Sequence, residues 1–287
     1  MFGRTLKRVA AIHDISCLGK CSLTVALPII SAAGVEVSVI PTAILSTPTG
    51  GFENFTYRDL TDDMLSVAEH WITTGARFDA VYSGFLGSFD QIEIVSQIID
   101  KLREEGTLII VDPVIGDNGR LYSVFDEKFP AEMKKLCSKA DIIVPNLTEA
   151  ILIVGDDYKE GPYSSEYIDD LLVRLSSLGP SRVVLTGICT DSSEIAVATY
   201  DANTGKKEYF FNEHVEGFFH GTGDVFASVL TAGLMRGLSV SQAASVAADF
   251  TVECIKRTHR SGTDYRLGIN FEEGLCTLSE KISEKLL

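Results

Sequence analysis

The segment from Gly221 to Asp224 reads Gly-Thr-Gly-Asp and lies where a helix is predicted to begin. The unpaired N–H groups of a first helical turn can hold an anion, and glycines let a phosphate group approach the backbone closely. Asp224 could accept the proton of an attacking hydroxyl while these amides stabilise a transferring phosphoryl group. Taken alone, the pattern fits equally well a tight turn in which Asp224 only favours the helix dipole.

Acidic and amide side chains follow three predicted strands. Asp112 and Asp117 flank Pro-Val-Ile-Gly after one strand, Asn146 and Glu149 follow a second strand, and Thr186 ends a third. Because ligands of open parallel sheets bind beyond the carboxyl ends of the strands, we expect these side chains to meet at one edge. Hard oxygen ligands suit Mg²⁺, which keeps most of its waters and bridges nucleotide phosphates. Singly, Asp112 and Asn146 are better explained as turn caps, so the prediction depends on the three strand ends together.

Other phosphate and metal patterns are weaker. The chain has no Gly-x-x-x-x-Gly-Lys-Ser/Thr loop, His-Arg-Asp loop or Asp-Phe-Gly triplet, so phosphoryl transfer would need another architecture. A dinucleotide fingerprint is disfavoured because Phe226 stands where a third glycine is required. His13, Cys17 and Cys21 are spaced by four and suggest a metal or iron–sulfur site, but no further Cys or His lies nearby to complete the ligand set.

The formal net charge of −15 indicates that the protein repels nucleic acid and anionic membranes. ATP would also be repelled at long range, so a phosphate site must be built from a divalent metal, backbone amides and a few local cations. Six scattered cysteines without a Cys-x-x-Cys pair predict reduced thiols. The first residues lack the apolar core of a signal peptide, and we expect a cytoplasmic protein without nucleic-acid or membrane partners.

The elements that must position these residues alternate between short apolar runs and segments of helical period. This pattern predicts an α/β fold with a mostly parallel central sheet and helices on both faces. Strands are predicted at residues 8–13, 35–42, 79–83, 107–111, 141–144 and 182–186. Residues 194–200 and 206–211 change to a period of two and predict an antiparallel edge hairpin. Without a linker or internal repeat, residues 1–287 are expected to form one domain.

Helices are predicted at residues 20–33, 61–74, 89–103 and 147–154, and in two pieces between residues 221 and 257. Pro28 should kink or break the first of them. A final amphipathic helix is expected to dock through one apolar face, formed by Leu275, Leu278, Ile282 and Leu286. The polar stretch at residues 46–51 is long enough to be a functional loop.

Three motifs occur in a fixed order: Asp-Pro-Val-Ile-Gly-Asp at 112–117, Pro-Asn-Leu-Thr-Glu-Ala at 145–150, and Gly-Thr-Gly-Asp at 221–224. In this order they resemble the ribokinase superfamily, and more narrowly its pyridoxal or pyridoxamine kinase branch. The resemblance extends from Arg8 to about His259. It implies a ribokinase-like three-layer sandwich and the ATP- and Mg²⁺-dependent phosphorylation of the 5′-hydroxymethyl group of a B6 vitamer: pyridoxal, pyridoxamine or pyridoxine. A requirement for a monovalent cation stays open.

The resemblance also implies roles for individual residues. Asp224 is the general base, and the backbone amides of Gly221, Thr222 and Gly223 form the anion hole. The nucleotide and its magnesium are assigned to a second group: Asp112 and Glu149 near the metal, Asp117 and Asn146 beside the phosphates, and Thr186 with Thr222 on the nucleotide.

Four residues are implied on the acceptor side: Asp14, Thr49, Phe85 and Tyr122, the last in a flexible loop that covers the site. Two of them depart from the better-known pattern, in which serine often stands at the position of Asp14 and tyrosine at that of Phe85. A carboxylate favours a protonated ring nitrogen or a cationic amine, so we expect pyridoxamine at least to be tolerated.

Two alternatives stay open. Hydroxymethylpyrimidine kinases of thiamin synthesis share the Gly-Thr-Gly-Asp end, but they usually carry Gly-Gly-Ala-Gly-Ile-Gln-Ala-Asp near the first helix, where this chain has Cys-Leu-Gly-Lys-Cys-Ser-Leu-Thr at 17–24. A non-catalytic vitamer- or nucleotide-binding protein could retain the same fold. About twenty residues separate the second strand from the next helix, so the resemblance implies a minimal lid and a homodimer that helps to close the site.

Overall fold

The structure is a computed structural model that describes residues 6–189 and 193–286. Its strands, in chain order, are β1 (Arg8–Ser16), β2 (Glu36–Leu45), β3 (Tyr57–Asp59), β4 (Ala80–Ser83), β5 (Leu108–Val111), β6 (Gly116–Asp117), β7 (Arg120–Leu121), β8 (Ile142–Ile143), β9 (Arg182–Cys189), β10 (Glu194–Asp201) and β11 (Lys206–Glu213). Its α-helices are α1 (Leu23–Ala32), α2 (Thr61–Thr73), α3 (Phe89–Leu102), α4 (Phe129–Cys137), α5 (Leu147–Val154), α6 (Ser165–Ser176), α7 (Thr222–Met235), α8 (Val240–Ser261) and α9 (Leu275–Glu284). Short 3₁₀ helices lie at Tyr265–Leu267 and Glu272–Gly274.

One sheet organises the described residues, with nine strands in the order β11-β10-β9-β8-β5-β4-β1-β2-β3. The strands from β9 through β8, β5, β4 and β1 to β2 pair in parallel, whereas β3, β10 and β11 run antiparallel to their neighbours. The predicted edge hairpin is therefore confirmed. β6 and β7 form a separate small hairpin.

Two apolar layers cover the sheet. Side chains of α2 to α6 pack on one face, and side chains of α1, α7, α8 and α9 pack on the other. The central strands are apolar on both sides because both faces are buried, as is usual for parallel sheets. The predicted three-layer α/β fold is confirmed. None of the helices within the described residues has the length and apolar character needed to cross a membrane.

Several local predictions need correction. Pro28 lies inside α1 without ending it, and α1 begins only at Leu23. β2 runs on to Leu45, where it pairs with β3, a strand that the sequence did not predict. Leu286 is 47% exposed beyond the end of α9, so the predicted apolar face is wrong at that position, although Leu278 and Ile282 are buried.

Candidate active site

A cavity of about 410 Å³ lies where the parallel strands end. Ten of the residues singled out from the sequence line it: Asp112, Asp117, Tyr122, Asn146, Glu149, Thr186, Gly221, Thr222, Gly223 and Asp224. A second cavity of about 540 Å³ adjoins it and shares Asp117 and Asn146 in its wall. The expectation that the three strand ends and the glycine segment meet at one edge of the sheet is therefore confirmed geometrically.

The floor of the cavity is the start of α7. Gly221 is its N-cap in a left-handed conformation with φ 74°, and a Cβ there would overlap the carbonyl oxygen of Lys20. Gly223, in contrast, faces open space, with nothing within 4 Å of the place that a Cβ would take. The first N–H groups of a helix have no intrahelical partner. This turn can therefore hold an anion against the backbone.

Asp224 lies in the first turn of α7, with its carboxylate in the wall of the cavity. The pKa of Asp224 is raised to about 7, mainly by burial and also by the nearby charge of Asp14, while the backbone N–H of Ser22 opposes both effects. A carboxylate with a pKa near neutrality can take up a proton and release it again, which suits a general base.

Asp112 and Glu149 are almost fully buried in the same cavity. Burial raises the pKa of Asp112 well above its usual range, and the charge of Asp224 adds to the effect. Burial also raises the pKa of Glu149, together with the charge of Asp112. These carboxylates therefore repel one another, and a cation between them would relieve the repulsion.

Asn146 and Glu149 form the capping box of α5. The Asn146 side chain accepts from the Glu149 N–H at 2.9 Å, and Glu149 Oε2 accepts from the Asn146 N–H at 2.8 Å. Glu149 Oε1 accepts from the Ile115 N–H at 3.2 Å, and Asn146 Nδ2 donates to the Gly116 carbonyl at 2.9 Å. The simple explanation of Asn146 as a helix cap is thus correct, and the same cap fixes both side chains at the cavity wall.

The hairpin of β6 and β7 holds Asp117 over the cavity. Its turn consists of Asn118 with φ 50° and Gly119 with φ 74°, the two positive φ values that a type I′ hairpin turn requires. The turn is tied to α5, because the Gly119 N–H donates to Thr148 Oγ1 at 2.9 Å. Tyr122 follows the hairpin, and its N–H donates to the Ile115 carbonyl at 3.0 Å. The loop expected around Tyr122 therefore includes a small ordered hairpin.

The donor set of the cavity suits a hard cation. Asp112 and Glu149 supply carboxylate oxygens, the type of ligand that Mg²⁺ prefers. Within residues 6–189 and 193–286, no cluster of three His, Cys, Asp or Glu side chains could hold an ion unaided. A small cation here would thus draw its remaining ligands from water and from a bound phosphate, as Mg²⁺ commonly does.

An apolar wall of the cavity was missed from the sequence. It is formed by residues of β10, α7 and α8 and of the segment after β11, namely Val197, Val215, Phe226, Val252 and Ile255. His220, to which the sequence assigned no role, also lines the cavity. Burial lowers the pKa of His220, although the charges of Asp117 and Asp264 oppose this. The sequence signal that could have identified His220 as a cavity residue is its position directly before Gly221.

The acceptor residues implied by the resemblance lie outside this cavity. Asp14, Thr49 and Phe85 are absent from its wall among the described residues. Asp14 is 4% exposed, and burial raises its pKa while the nearby hydroxyl groups of Ser22 and Ser16 lower it. Asp14 is nevertheless close enough to Asp224 for its charge to raise the pKa of that carboxyl.

The two other acceptor residues lie in loops. Phe85 is half-buried, and its ring centroid lies 5.6 Å from that of Phe125. Thr49 is exposed, and the adjacent Gly50 packs so tightly on His220 that a Cβ at position 50 would overlap the imidazole ring. The loop of Thr49 is therefore held against the start of α7 through His220.

Lys20 links three distant segments beneath the cavity. Its carbonyl oxygen touches the α-carbon regions of Gly221 and Gly268, so that a Cβ at either glycine would overlap it. The Lys20 N–H donates to the Leu267 carbonyl at 2.8 Å, and Lys20 Nζ donates to Asn270 Oδ1 at 2.6 Å. Lys20 thus joins the turn that carries Gly221 to the segment at residues 267–270.

Comparison with known proteins gives consistent results. Residues 27–267 match the family model described as phosphomethylpyrimidine kinase. Pyridoxine kinase from Bacillus subtilis is 30% identical over 192 residues, which cover 65% of this chain and 67% of that protein. A crystal structure of a Bacteroides thetaiotaomicron protein classed as a phosphomethylpyrimidine kinase, in a form with pyridoxal, has a TM-score of 0.91 at 39% identity and covers 96% of both chains. Pyridoxal kinase from Lactobacillus plantarum has a TM-score of 0.87 at 29% identity, covering 96% of this chain and 97% of that one.

Proposed function

The chain belongs to the phosphomethylpyrimidine kinase family, and we propose that it transfers the γ-phosphoryl group of ATP to the 5′-hydroxymethyl group of a B6 vitamer. The observation that carries the proposal is Asp224, a carboxylate with a pKa of about 7 at the start of a helix whose first amides can hold a phosphate. The similarity to pyridoxine kinase and to a protein crystallised with pyridoxal supports a pyridine acceptor over other alcohols.

In the proposed reaction, Asp224 accepts the proton of the acceptor hydroxyl as its oxygen forms a bond to the γ-phosphorus. The bond between that phosphorus and the bridging oxygen of ATP breaks, and its electron pair leaves with ADP. The amides of Gly221, Thr222 and Gly223 donate to the oxygens of the transferring group, where negative charge is concentrated. The proton on Asp224 then passes to solvent through the cavity.

Asp112 and Glu149 are proposed to hold Mg²⁺ through its waters, with Asp117 and Asn146 beside the phosphates. The ion would supply neutralisation of phosphate charge in a cavity whose wall includes five carboxylates. Two buried carboxylates whose pKa values are raised by burial and by the charges of neighbouring carboxylates support this assignment. Whether a monovalent cation is also required stays an open part of the proposal.

The nucleotide base is proposed to lie on the apolar wall. Val197, Val215 and Val252 present aliphatic surface to the cavity, and Thr186, which also lines it, is proposed to lie between this wall and the phosphates. Flat aliphatic surfaces suit the faces of an adenine ring, because they exclude water from both the ring and the wall. ATP would thus extend from this wall to Gly221.

The acceptor is proposed to enter from the side of Asp224 opposite the nucleotide. Asp14, Thr49 and Phe85 are proposed to line that side, and Tyr122, which lines the cavity after the hairpin of β6 and β7, is proposed to lie at its border. This division puts the acceptor hydroxyl and the leaving oxygen of ATP on opposite sides of the γ-phosphorus, as an in-line transfer requires, with Asp224 beside the hydroxyl. It follows that the acceptor residues and the nucleotide residues can be altered separately.

A panel of acceptors tests the proposal. ADP release is measured with ATP, Mg²⁺ and each of pyridoxal, pyridoxamine, pyridoxine and hydroxymethylpyrimidine. We expect turnover of at least one B6 vitamer with a higher kcat/KM than the pyrimidine. The family match favours the pyrimidine as the alternative acceptor, and turnover of the pyrimidine alone would contradict the B6 assignment. Binding of vitamers without any turnover would instead support a non-catalytic binding protein.

We also propose a single domain over residues 1–287, a homodimer in which a second copy helps to close the acceptor side, and a cytoplasmic location. The small size of β3, the only element between β2 and α2 within the described residues, supports the homodimer, because three residues form little cover for a substrate. Size-exclusion chromatography with light scattering checks the dimer directly.

A further inference from the structure

Tyr57 lies on the short strand β3, close to the acceptor residues, and the reaction proposed above gives it no role. Tyr57 is the register partner of Leu45 on β2, and Leu45 is the register partner of Ser16 on β1. Two strand spacings, roughly 10 Å, therefore separate Ser16 from Tyr57. Asp14 precedes Ser16 by two residues on β1 and is close enough for its charge to raise the pKa of Tyr57, so the two side chains border one region at the end of the sheet.

Gly87 brings Tyr57 next to Phe85. The Tyr57 hydroxyl oxygen is 2.9 Å, and Phe85 Cε1 is 3.8 Å, from the point that a Cβ on Gly87 would occupy. Any side chain at position 87 would push the phenol away from this place. Tyr57 is 45% exposed, so part of the ring and its hydroxyl remain open to a ligand.

Hydrogen bonds that involve Asp59 and Gln91 orient the phenol of Tyr57. Its hydroxyl donates to Asp59 Oδ2 at 3.4 Å, and the fully buried Gln91 donates to the same carboxylate oxygen at 3.4 Å. Gln91 also donates to the Thr42 carbonyl at 3.1 Å and accepts from the Gly87 N–H at 2.8 Å. Gln91 therefore joins β2, β3 and the loop before α3, and a buried, fully bonded amide holds such an arrangement rigidly.

The groups exposed toward the acceptor are hydrogen-bond acceptors. When the Tyr57 proton points to Asp59, the phenol oxygen keeps a lone pair for a donor on the ligand, even with Gln91 beside it. Asp14 adds a carboxylate that is bonded to hydroxyl groups and its own backbone rather than to a basic side chain. Burial is the main cause that raises the pKa of Tyr57 to about 12, and the charges of Asp59 and Asp14 add to it, so these two carboxylates contribute a negative potential at this place. A positively charged hydrogen-bond donor is the complementary ligand.

We infer that Tyr57, held by Asp59 and Gln91, is a further acceptor-binding residue, and that with Asp14 it selects an acceptor that carries a protonated amine. This inference rests on the proposed function. Among the B6 vitamers, pyridoxamine bears an aminomethyl group where pyridoxine bears a neutral hydroxymethyl group of similar size. A comparison of these two vitamers therefore tests the effect of charge at nearly constant shape of the acceptor.

The test compares kcat/KM for pyridoxamine and pyridoxine in the wild-type protein and in Tyr57→Phe. We expect the wild type to prefer pyridoxamine, and Tyr57→Phe to lower kcat/KM for pyridoxamine by roughly 10- to 100-fold through KM, the effect of a hydrogen bond from a charged group. The value for pyridoxine should fall by roughly 10-fold at most, because its hydroxymethyl group is a neutral donor, and the KM for ATP should stay within about twofold of wild type.

Tyr209→Phe is the matched control. Tyr209 donates to Asp169 Oδ1 at 2.7 Å on the edge hairpin, so the variant removes a hydroxyl from another Tyr–Asp pair that does not line the cavity. Its ratio of pyridoxamine to pyridoxine should equal that of wild type. Asp59→Asn provides a second variant, which should lower the same ratio by loosening the phenol.

The outcomes separate the inference from the proposed function. An unchanged ratio in both Tyr57→Phe and Asp59→Asn, or an equal loss for both vitamers, overturns the role of Tyr57 and leaves the kinase assignment intact. Failure of the wild type to phosphorylate any B6 vitamer, with turnover of hydroxymethylpyrimidine, overturns the proposed function itself. A selective loss for pyridoxamine supports both.

Discussion

Ser22 lies beside both Asp224 and Asp14: its backbone N–H lowers the pKa of the first carboxyl and its hydroxyl lowers the pKa of the second. Ser22 has φ 52° and ψ −126°, a combination that non-glycine residues seldom adopt. One residue at the start of α1 thus lies next to the proposed base and to the carboxylate on the acceptor side. The two carboxylates are also close enough for the charge of Asp14 to raise the pKa of Asp224.

The first prediction concerns the pH profile of kcat/KM for the acceptor. Asp224 must be ionised to accept a proton, and its pKa is raised to about 7, so activity should increase with pH through this region. The charge of Asp14 contributes to the raised pKa of Asp224. Asp14→Asn should therefore move the acidic limb to lower pH, whatever it does to vitamer affinity. If the acidic limb of the pH profile lies at the same pH in Asp14→Asn as in the wild type, this coupling is contradicted.

The second prediction is that Asp224→Asn lowers kcat by roughly 10²- to 10⁴-fold, the usual contribution of a positioned base. Asparagine keeps the size of the side chain but cannot take the proton. Stopped assays of ADP release at saturating ATP and vitamer measure the effect. Asp100→Asn, which breaks a surface ion pair with Lys139 of 2.6 Å, is the control and should keep wild-type turnover. Near wild-type kcat in Asp224→Asn would remove Asp224 from the role of base.

The third prediction is that Asp224→Asn is more heat-stable than wild type at alkaline pH. A carboxyl whose folded pKa is raised above its unfolded value of about 4 binds more protons in the folded state, so its ionisation lowers stability as the pH rises from about 4 toward 7 and beyond. Asparagine has no such ionisation. Melting temperatures at pH 8 and pH 4 test this: the advantage of the variant should be present at pH 8 and shrink at pH 4.

The fourth prediction contrasts the two glycines of the cradle. Gly223→Ala puts a methyl group into open space within a helix, so it should raise stability by roughly 0.5–1 kcal/mol while it blocks the approach of a phosphate. Gly221→Ala meets the Lys20 carbonyl and a φ of 74°, so it should lower stability by roughly 1–3 kcal/mol. Chemical denaturation and the KM for ATP measure the two effects. A stable Gly223→Ala variant with full activity would exclude this turn from phosphate binding.

The fifth prediction is that removal of Mg²⁺ abolishes turnover and that Asp112→Asn raises the Mg²⁺ concentration for half-maximal activity by roughly tenfold or more. The variant removes one of two buried carboxylates that are proposed to hold the ion. A titration of Mg²⁺ at fixed ATP measures this. Asp170→Asn, at an exposed ion pair with Arg174 of 2.7 Å on α6, should respond as wild type does. An unchanged Mg²⁺ requirement in Asp112→Asn would contradict the assignment.

Motif residues at strand ends could be located from the sequence because local chemistry fixes them. Asn146 and Glu149 are an example: Asn-x-x-Glu before an apolar run predicts a capping box, and that box alone holds both side chains at the cavity wall. The glycines at 221 and 223 are similar, since one needs a left-handed φ and the other leaves space for a ligand. In these cases the sequence neighbours of a residue decide where it points.

Residues whose position depends on distant partners could not be predicted in this way. Tyr57 belongs to a strand of three exposed residues without an alternating pattern, and it is a strand only because β2 extends to Leu45 beside it. Val215 and Val252 form one wall only after the edge hairpin has folded onto α8. Leu286 fitted a helical period in the sequence, but α9 ends before it. Contacts between distant parts of the chain determined the positions of these residues, and a single sequence does not show which distant parts will meet.

The contacts of the Lys20 carbonyl with Gly221 and Gly268 bear on the order in which parts of the chain fold. Lys20 also hydrogen-bonds to Asn270, across a separation of 250 residues. Segments so far apart meet late, because the entropy of closing a long loop opposes the contact until the intervening sheet exists. The phosphate cradle should therefore form in the last step of folding and appear together with catalytic activity. During synthesis on the ribosome, a nascent chain should stay inactive until the residues around Asn270 have emerged.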